Sequence, residues 1–151
     1  MPTATVNDVT LHYQVEGDGP PLLLISGLGA SSLAWAAVVP RLRERFTVIT
    51  FDNRGTGRSS VPPGPYQIDD LADDTAGLLD HLGLGPVLAV GWSLGGSVLQ
   101  SLLIRHGQRI RRAVLLNAFP SYTRLQHGWL DALLLLRREG FDPVDLSLYG
   151  A

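Results

Sequence analysis

Gly91-Trp92-Ser93-Leu94-Gly95, with Gly96 behind it, is the segment of this sequence best suited to covalent chemistry. A serine hydroxyl can act as a nucleophile when a sharp turn from strand to helix presents it, and that turn closes only if the flanking residues carry little or no side chain. Gly91 and Gly95 meet that need. The helix that follows would aim its first amides, that of Leu94 among them, at the oxygen on which charge develops during acyl transfer. The alternative is a glycine-rich turn whose serine only caps a helix. An apolar run before the motif and a helical pattern after it favour the chemical reading.

A second segment, Ser26-Gly27-Leu28-Gly29, closes the first long apolar run. Glycines there let the backbone approach a reacting carbonyl, so the Leu28 amide could join that of Leu94 as an oxyanion hole. Read alone it has a rival meaning. With Ser31 and Ser32 following, and Asp52 at the end of the next apolar run, it is also similar to a dinucleotide-binding fingerprint, which keeps a nicotinamide-dependent oxidoreductase as an alternative. The third segment is Asp52-Asn53-Arg54-Gly55-Thr56-Gly57-Arg58-Ser59. Gly55 and Gly57 permit positive φ, and Asp52 and Arg54 stand close enough in sequence to pair and hold the turn, which gives the segment a structural role.

The elements that must carry these segments follow from the hydrophobic pattern. Residues 9–16 alternate as a half-buried strand does, and residues 17–21 mark a turn before the apolar run 22–25, which reads as a hairpin leading into a buried strand. Residues 33–45 have helical spacing, with Trp35, Val38, Val39 and Leu42 on one side. Runs 46–51, 87–92 and 110–117 read as buried strands, and 68–82 and 94–106 as helices. In the first of these helices Leu71, Ala72, Thr75, Leu78 and Leu79 share a face. Strand and helix alternate, which predicts an α/β fold: a mostly parallel sheet of about six strands with helices on both faces. After Pro120 a further helix is expected around Trp129 and Leu136, with a loop-like tail to Ala151.

Taken together, the text SGLGA at residues 26–30, DNRGTGRS at 52–59 and GWSLGG at 91–96 resembles the α/β-hydrolase family, whose members commonly carry HGxG, DxRGxGxS and GxSxGG in that order. The resemblance extends over residues 3–120. It implies Ser93 as nucleophile and the amides of Leu28 and Leu94 as oxyanion donors, supported by Ser26, Gly27, Gly29, Gly91, Trp92, Gly95 and Gly96. Ser26 stands where histidine is common. The wording is most similar to enol-lactonases, carboxylesterases and carbon–carbon bond hydrolases, and a serine at the nucleophile position argues against dehalogenation. The resemblance divides the chain into the N-terminal part of a hydrolase core, residues 1–120, and the start of a cap, residues 121–151. It implies a small-molecule ester or lactone substrate and neither cofactor nor metal.

A serine nucleophile needs a base and an acid to orient that base. In this family both follow the sixth strand, so the core is expected to be incomplete as given. His12, His81 and His106 fall where surface or capping roles are the expectation. His127, where a cap would begin, is the best-placed substitute base, and Asp131, Asp142 and Asp145 read as solvated or capping residues. Trp35 and Trp92 read as core, with a pocket border as the alternative. A non-catalytic fragment or half-domain that needs a separate C-terminal part, or that self-associates through an open sheet edge, is therefore the second reading.

Composition removes other classes. The 151 residues include no cysteine, which rules out disulfides, thiolate nucleophiles and cysteine-ligated metal centres built from this sequence. All 12 basic residues are arginine, so neither a Schiff-base lysine nor a P-loop lysine is available. A net charge of -2 provides no general attraction to nucleic acid or to anionic membranes. Residues 86–104 are uncharged and nearly long enough to span a bilayer, but Gly91, Ser93, Gly95, Gly96, Ser97, Gln100 and Ser101 interrupt them, so a buried strand and helix are expected instead. The N-terminus lacks the basic start and apolar run of a signal peptide, which gives a cytoplasmic expectation.

Overall fold

A strand that is apolar on both faces must be covered on both, and Leu22, Leu23, Leu24 and Ile25 are such a run. In the computed structural model, which describes residues 2–119, this run lies at the middle of a six-stranded sheet. The strands are β1 (Thr3–Val6), β2 (Val9–Glu16), β3 (Pro21–Ile25), β4 (Thr47–Phe51), β5 (Val87–Trp92) and β6 (Ile110–Leu116), in the order β1-β2-β4-β3-β5-β6. β3 pairs in parallel with β4 and β5, and β5 in parallel with β6; β1–β2 and β2–β4 are antiparallel.

Alternate residues of β3 feed two cores. Leu23 and Ile25 pack with the helices α2 (Ile68–His81) and α3 (Leu94–His106), through Leu71, Leu78, Leu79, Val98, Leu99 and Leu102. Leu22 and Leu24 pack with Trp35, Val39 and Val48 on the opposite face. Helical segments therefore cover both faces, as the alternation of elements implies. The chain divides into two units after Ala118, and the first holds everything described below. The expectations for residues 120–151, including His127, Asp131, Asp142, Asp145 and the helix around Trp129, lie outside the described residues.

Two sequence expectations need correction. β2 and β3 do not form a hairpin: the hairpin is β1–β2, turned at Asn7 with φ 49°, and β2 pairs onward with β4. The half-buried alternation of β2 suits this outer antiparallel position, whereas β3 needs a parallel neighbour on each side. Nor do residues 33–45 form one helix. They give a 3-10 turn, Ser32–Trp35, and a short helix α1, Val39–Leu42. Pro40 sits in the first turn of α1, where its missing N–H costs nothing, but in a continuous helix its ring would strike the Ala36 carbonyl. No helix among the described residues is long and apolar enough to cross a membrane; the uncharged run 86–104 resolves into β5 and α3.

α2 starts where the Asp70 carboxylate accepts from the Gln67 amide at 2.7 Å. It carries one carboxylate inside its buried stripe, Asp74, which is 2% exposed. Arg54 answers it with two bonds, Nε to Oδ2 at 2.6 Å and NH2 to Oδ1 at 2.7 Å, and Asn7 Nδ2 donates to Oδ1 at 2.9 Å. The Asp74 carboxylate pushes the Arg54 guanidinium above its usual range, against the desolvation that burial imposes. Sequence reasoning paired Arg54 with Asp52 instead. A lone carboxylate on an apolar stripe was the signal pointing to Asp74.

α2 and α3 are also joined at their outer surface. Arg105 donates to Asp73 at 3.0 and 2.7 Å and His106 Nε2 lies 2.7 Å from the same carboxylate, while Ser101 Oγ donates to Asp69 at 2.6 Å.

Two tests follow from these ion pairs. Asp74→Ala leaves the guanidinium with only the exposed Asp8 carboxylate, 3.3 Å from NH2, and should lower unfolding free energy in urea by about 3 kcal/mol; a loss under about 1 kcal/mol would show that the pair is not a structural anchor. The Asp73 carboxyl is held below its ordinary 3.8, first by the hydrogen bond from Arg105 and then by that from His106. Its stabilisation is therefore complete above that value and disappears as pH falls through the lower folded-state value. Asp73→Asn should flatten the decline of stability below about pH 4. An unchanged acid limb in urea titrations would contradict that.

Candidate active site

Because β4, β3 and β5 are neighbours and parallel, their carboxyl ends share one edge of the sheet. Leu24 pairs with Thr50 and Ile25 with Gly91, so continuing the register two residues past Leu24 puts Asp52, Ser26 and Trp92 in a row. The three chemistry-bearing segments are thus brought together by strand register. The chain leaves β3 for β4 on one side and later places β5 on the other, which makes this edge a topological switch point where open α/β sheets bind ligands.

Ser93 links β5 to α3 with φ 54° and ψ −118°, a conformation that costs a residue other than glycine about 1–3 kcal/mol. Its own amide donates to the Leu116 carbonyl at 2.8 Å, and its carbonyl accepts from Gly96 N at 2.9 Å. The glycines around it are required by contact. A methyl group on Gly91 would meet the Gly95 carbonyl, one on Gly95 would meet the Ile25 carbonyl, and one on Gly96 would meet Ala118. The first turn of α3 thereby packs directly on the end of β3. Leu94 opens that helix, where an amide has no intrahelical acceptor.

Facing the elbow is the segment after β3. A β-carbon on Gly27 would lie 3.3 Å from the Trp92 ring and 3.4 Å from Ser93 Cβ, so the backbone before Leu28 lies against Ser93. Gly29, with φ 68°, continues the turn, and Ala30 N donates to the Gly27 carbonyl at 3.2 Å. Ser26 is fully buried and its hydroxyl donates to the Ser31 carbonyl at 3.2 Å. The Leu28 side chain is 52% exposed, so packing does not hold it. Trp35 and Trp92 both belong to the core on the α1 face.

The dinucleotide reading fails on geometry. A pyrophosphate site needs a long helix starting directly after the glycines, and residues 27–29 lead into a four-residue 3-10 turn and a four-residue helix.

Asp52 is the site residue that sequence reasoning misassigned. Its carboxylate is not paired with Arg54: Oδ1 accepts from Ser32 N at 2.6 Å, Oδ2 accepts from Arg58 N at 2.9 Å, and His12 Nδ1 stands 3.5 Å from Oδ2. Ser59 Oγ donates to the Asp52 carbonyl at 2.5 Å and accepts from His12 N at 2.9 Å. His12, expected at the surface or as a cap, is 4% exposed. The local spacing of Asp52 and Arg54 suggested a pair, but each side chain points to a different segment brought near by the sheet. His81 lies edge-on to the Tyr13 ring, and His106 is bound to Asp73 about 20 Å along α3 from Ser93. Each of these three histidines has another partner.

The chain is similar in sequence and fold to known hydrolases. The chain is 40% identical to RutD of Caulobacter segnis over 125 residues, 79% of this chain and 46% of that protein. It is 34% identical to 3-oxoadipate enol-lactonase 2 of Acinetobacter baylyi over 144 residues, 94% of this chain and 54% of that protein. Among solved structures, the enol-lactonase of Burkholderia xenovorans superposes with a TM-score of 0.79 at 32% identity, covering 97% of this chain and 65% of that one. A hydrolase from Pseudomonas aeruginosa superposes at 0.82 with 34% identity, covering 91% and 52%. The chain spans about half the length of the curated relatives it matches.

The close approach at Gly95 can be tested against a glycine that has room. Gly95→Ala should cost about 1–3 kcal/mol in urea unfolding because backbone oxygens cannot move aside. Gly107→Ala, with open space around it and φ −55°, should be neutral or stabilise by up to about 1 kcal/mol; equal losses at both positions would refute the packing argument. A family model described as alpha/beta hydrolase fold matches residues 20–139, and with the strand order, the elbow and the relatives above, the chain belongs to the α/β-hydrolase family.

Proposed function

We propose that this chain is the N-terminal part of a serine hydrolase that cleaves ester, lactone or activated carbon–carbon bonds through an acyl-serine intermediate. The observation that carries the proposal is Ser93 held at positive φ at the end of β5 with the Gly27 backbone against it. Strained presentation frees the hydroxyl from its own helix, and the amides of Leu28 and Leu94 then take the charge that develops on the attacked carbonyl oxygen. The enol-lactonases among the relatives favour a small lactone or ester as substrate. The reaction so written uses neither metal nor organic cofactor.

The base and its orienting acid come, in this reading, from a C-terminal part beyond the 151 residues, and the histidines of the described residues serve other partners. Residues 121–151 begin the cap that shapes the substrate pocket, and the compartment is the cytoplasm. β6 gives the reading a physical side as well. Val114, Leu115 and Leu116 are 51%, 43% and 42% exposed, and a parallel strand of this composition is ordinarily covered on both faces. A C-terminal part that adds to β6 would supply both that cover and the base, and without it the open edge favours self-association.

In the complete enzyme a fluorophosphonate probe should label Ser93, located by peptide mass spectrometry, and Ser93→Ala should abolish labelling and ester hydrolysis together. The 151-residue chain should hydrolyse activated esters at least about a hundredfold more slowly than an intact relative, as expected for a missing base. Equal labelling of the alanine variant would sink the assignment of the nucleophile. Full activity of a monomeric 151-residue chain would sink the assignment of the base.

A further inference from the structure

Leu28 raises a question of mechanics. An oxyanion donor works only if its N–H direction is fixed before the reaction, yet the Leu28 side chain projects into solvent and Gly29 beside it has a permissive backbone. The direction of the Leu28 amide must therefore be set by what holds the backbone on either side of it.

Both anchors come from one dipeptide on another loop. Upstream of Leu28, the Ser26 carbonyl accepts from Asn53 Nδ2 at 3.5 Å. Downstream, Ser32 N donates to Asp52 Oδ1 at 2.6 Å. Asp52 and Asn53 are 2% and 4% exposed, so neither bond competes freely with water, and the bond to Ser32 is charge-assisted. The second carboxylate oxygen of Asp52 already serves its own loop through Arg58 N. One oxygen would suffice to close that turn; the other reaches across 20 residues of sequence to the segment after β3.

We propose that Asp52 and Asn53 are positioning residues for the oxyanion loop, clamping residues 26–32 at both ends so that the Leu28 amide faces Ser93. The inference rests on the hydrolase reading above and adds to it residues that do not touch the substrate. His12, beside Asp52, packs against the clamp from β2 and takes no part in the proposed bonds.

The test uses the protein with its C-terminal part present and its Asp52→Ala, Asp52→Asn and Asn53→Ala variants, with Asp73→Asn as a control whose ion pairs lie on the outer surface of α2 and α3. Hydrogen exchange of residues 26–33 is followed by mass spectrometry, and the rate of Ser93 labelling by a fluorophosphonate is resolved into its saturating rate and its half-saturation concentration. Losing a donor outright costs about a hundredfold or more, so loosening one should lower the saturating rate about tenfold in Asp52→Ala, with half-saturation changed less than about twofold. Exchange in residues 26–33 should quicken. Asp52→Asn keeps an oxygen for Ser32 N and should fall between wild type and Asp52→Ala, whereas Asp73→Asn should alter thermal stability without altering the saturating rate. Should Asp52→Ala fail to fold, Asp52→Asn and Asn53→Ala carry the same comparison with smaller changes. Unchanged exchange in those variants overturns the clamp, as does quickened exchange with an unchanged saturating rate. Absence of labelling in the wild-type protein, with its C-terminal part present, overturns the hydrolase reading instead, and with it the catalytic meaning of the clamp, while exchange still decides whether the clamp exists.

Discussion

The position of β3 between β4 and β5 governs everything else in this structure. Five residues long and apolar on both faces, β3 is stable only with a parallel neighbour on each side and helices above and below. Meeting that demand places three strand ends at one edge of the sheet, and the loops leaving those ends carry the three glycine-rich segments. The site is thus a by-product of core formation. Its residues are separated by tens of positions in sequence, and neither α2 nor α3 has to contribute a side chain from its middle.

Holding Ser93 in its strained conformation requires support from several directions. The Ser93 amide is tied to Leu116 on β6, Gly91 and Gly95 lie within contact of one another, and Gly95 meets the end of β3. The elbow therefore depends on β6 as well as on β5. Adding a methyl group at Gly91, Gly95 or Gly96 would separate elements whose backbones touch, and for this reason glycine is demanded there by distance more than by dihedral freedom. Gly55 and Gly57 differ: both have positive φ, and they also lie against the Tyr66 ring and the Asp52 carboxylate.

Legibility followed the range of the interaction. β4, β5, β6, α2 and α3 could be read from the sequence because a run of branched and apolar residues, or a 3.6-residue stripe, reports directly on burial. The GxSxG glycines were legible as a motif, although only the need for Gly91 arises within a few residues, since Gly95 meets the Ile25 carbonyl at the end of β3. What misled was proximity in sequence: β2 and β3 are joined by a short turn yet do not pair, and Asp52 and Arg54 are two residues apart yet serve different partners. The split of residues 33–45 at Pro40 was available from local chemistry, and the apolar spacing obscured it. His12 was not legible, because nothing in an alternating strand tells which of its polar residues faces a buried carboxylate.

The segment from Asp52 to Ser59 works as a bracket with its two charged ends facing opposite ways. Asp52 holds the turn of its own loop and reaches the segment after β3, while Arg54 reaches back to Asp74 on α2 and forward over the Tyr66 ring at 5.8 Å. Removing either charge does more than delete one contact, because each partner is buried and would be left without a counterpart. The buried charges at this bracket, Asp52 and Asp74, are each met by donors from other segments. That placement matters physically: both Asp52 carboxylate oxygens are occupied by backbone amides, Ser32 N and Arg58 N. The turn that carries Ser93 and the segment after β3 are thus both held by β3, by its two neighbours and by the bracket that follows β4.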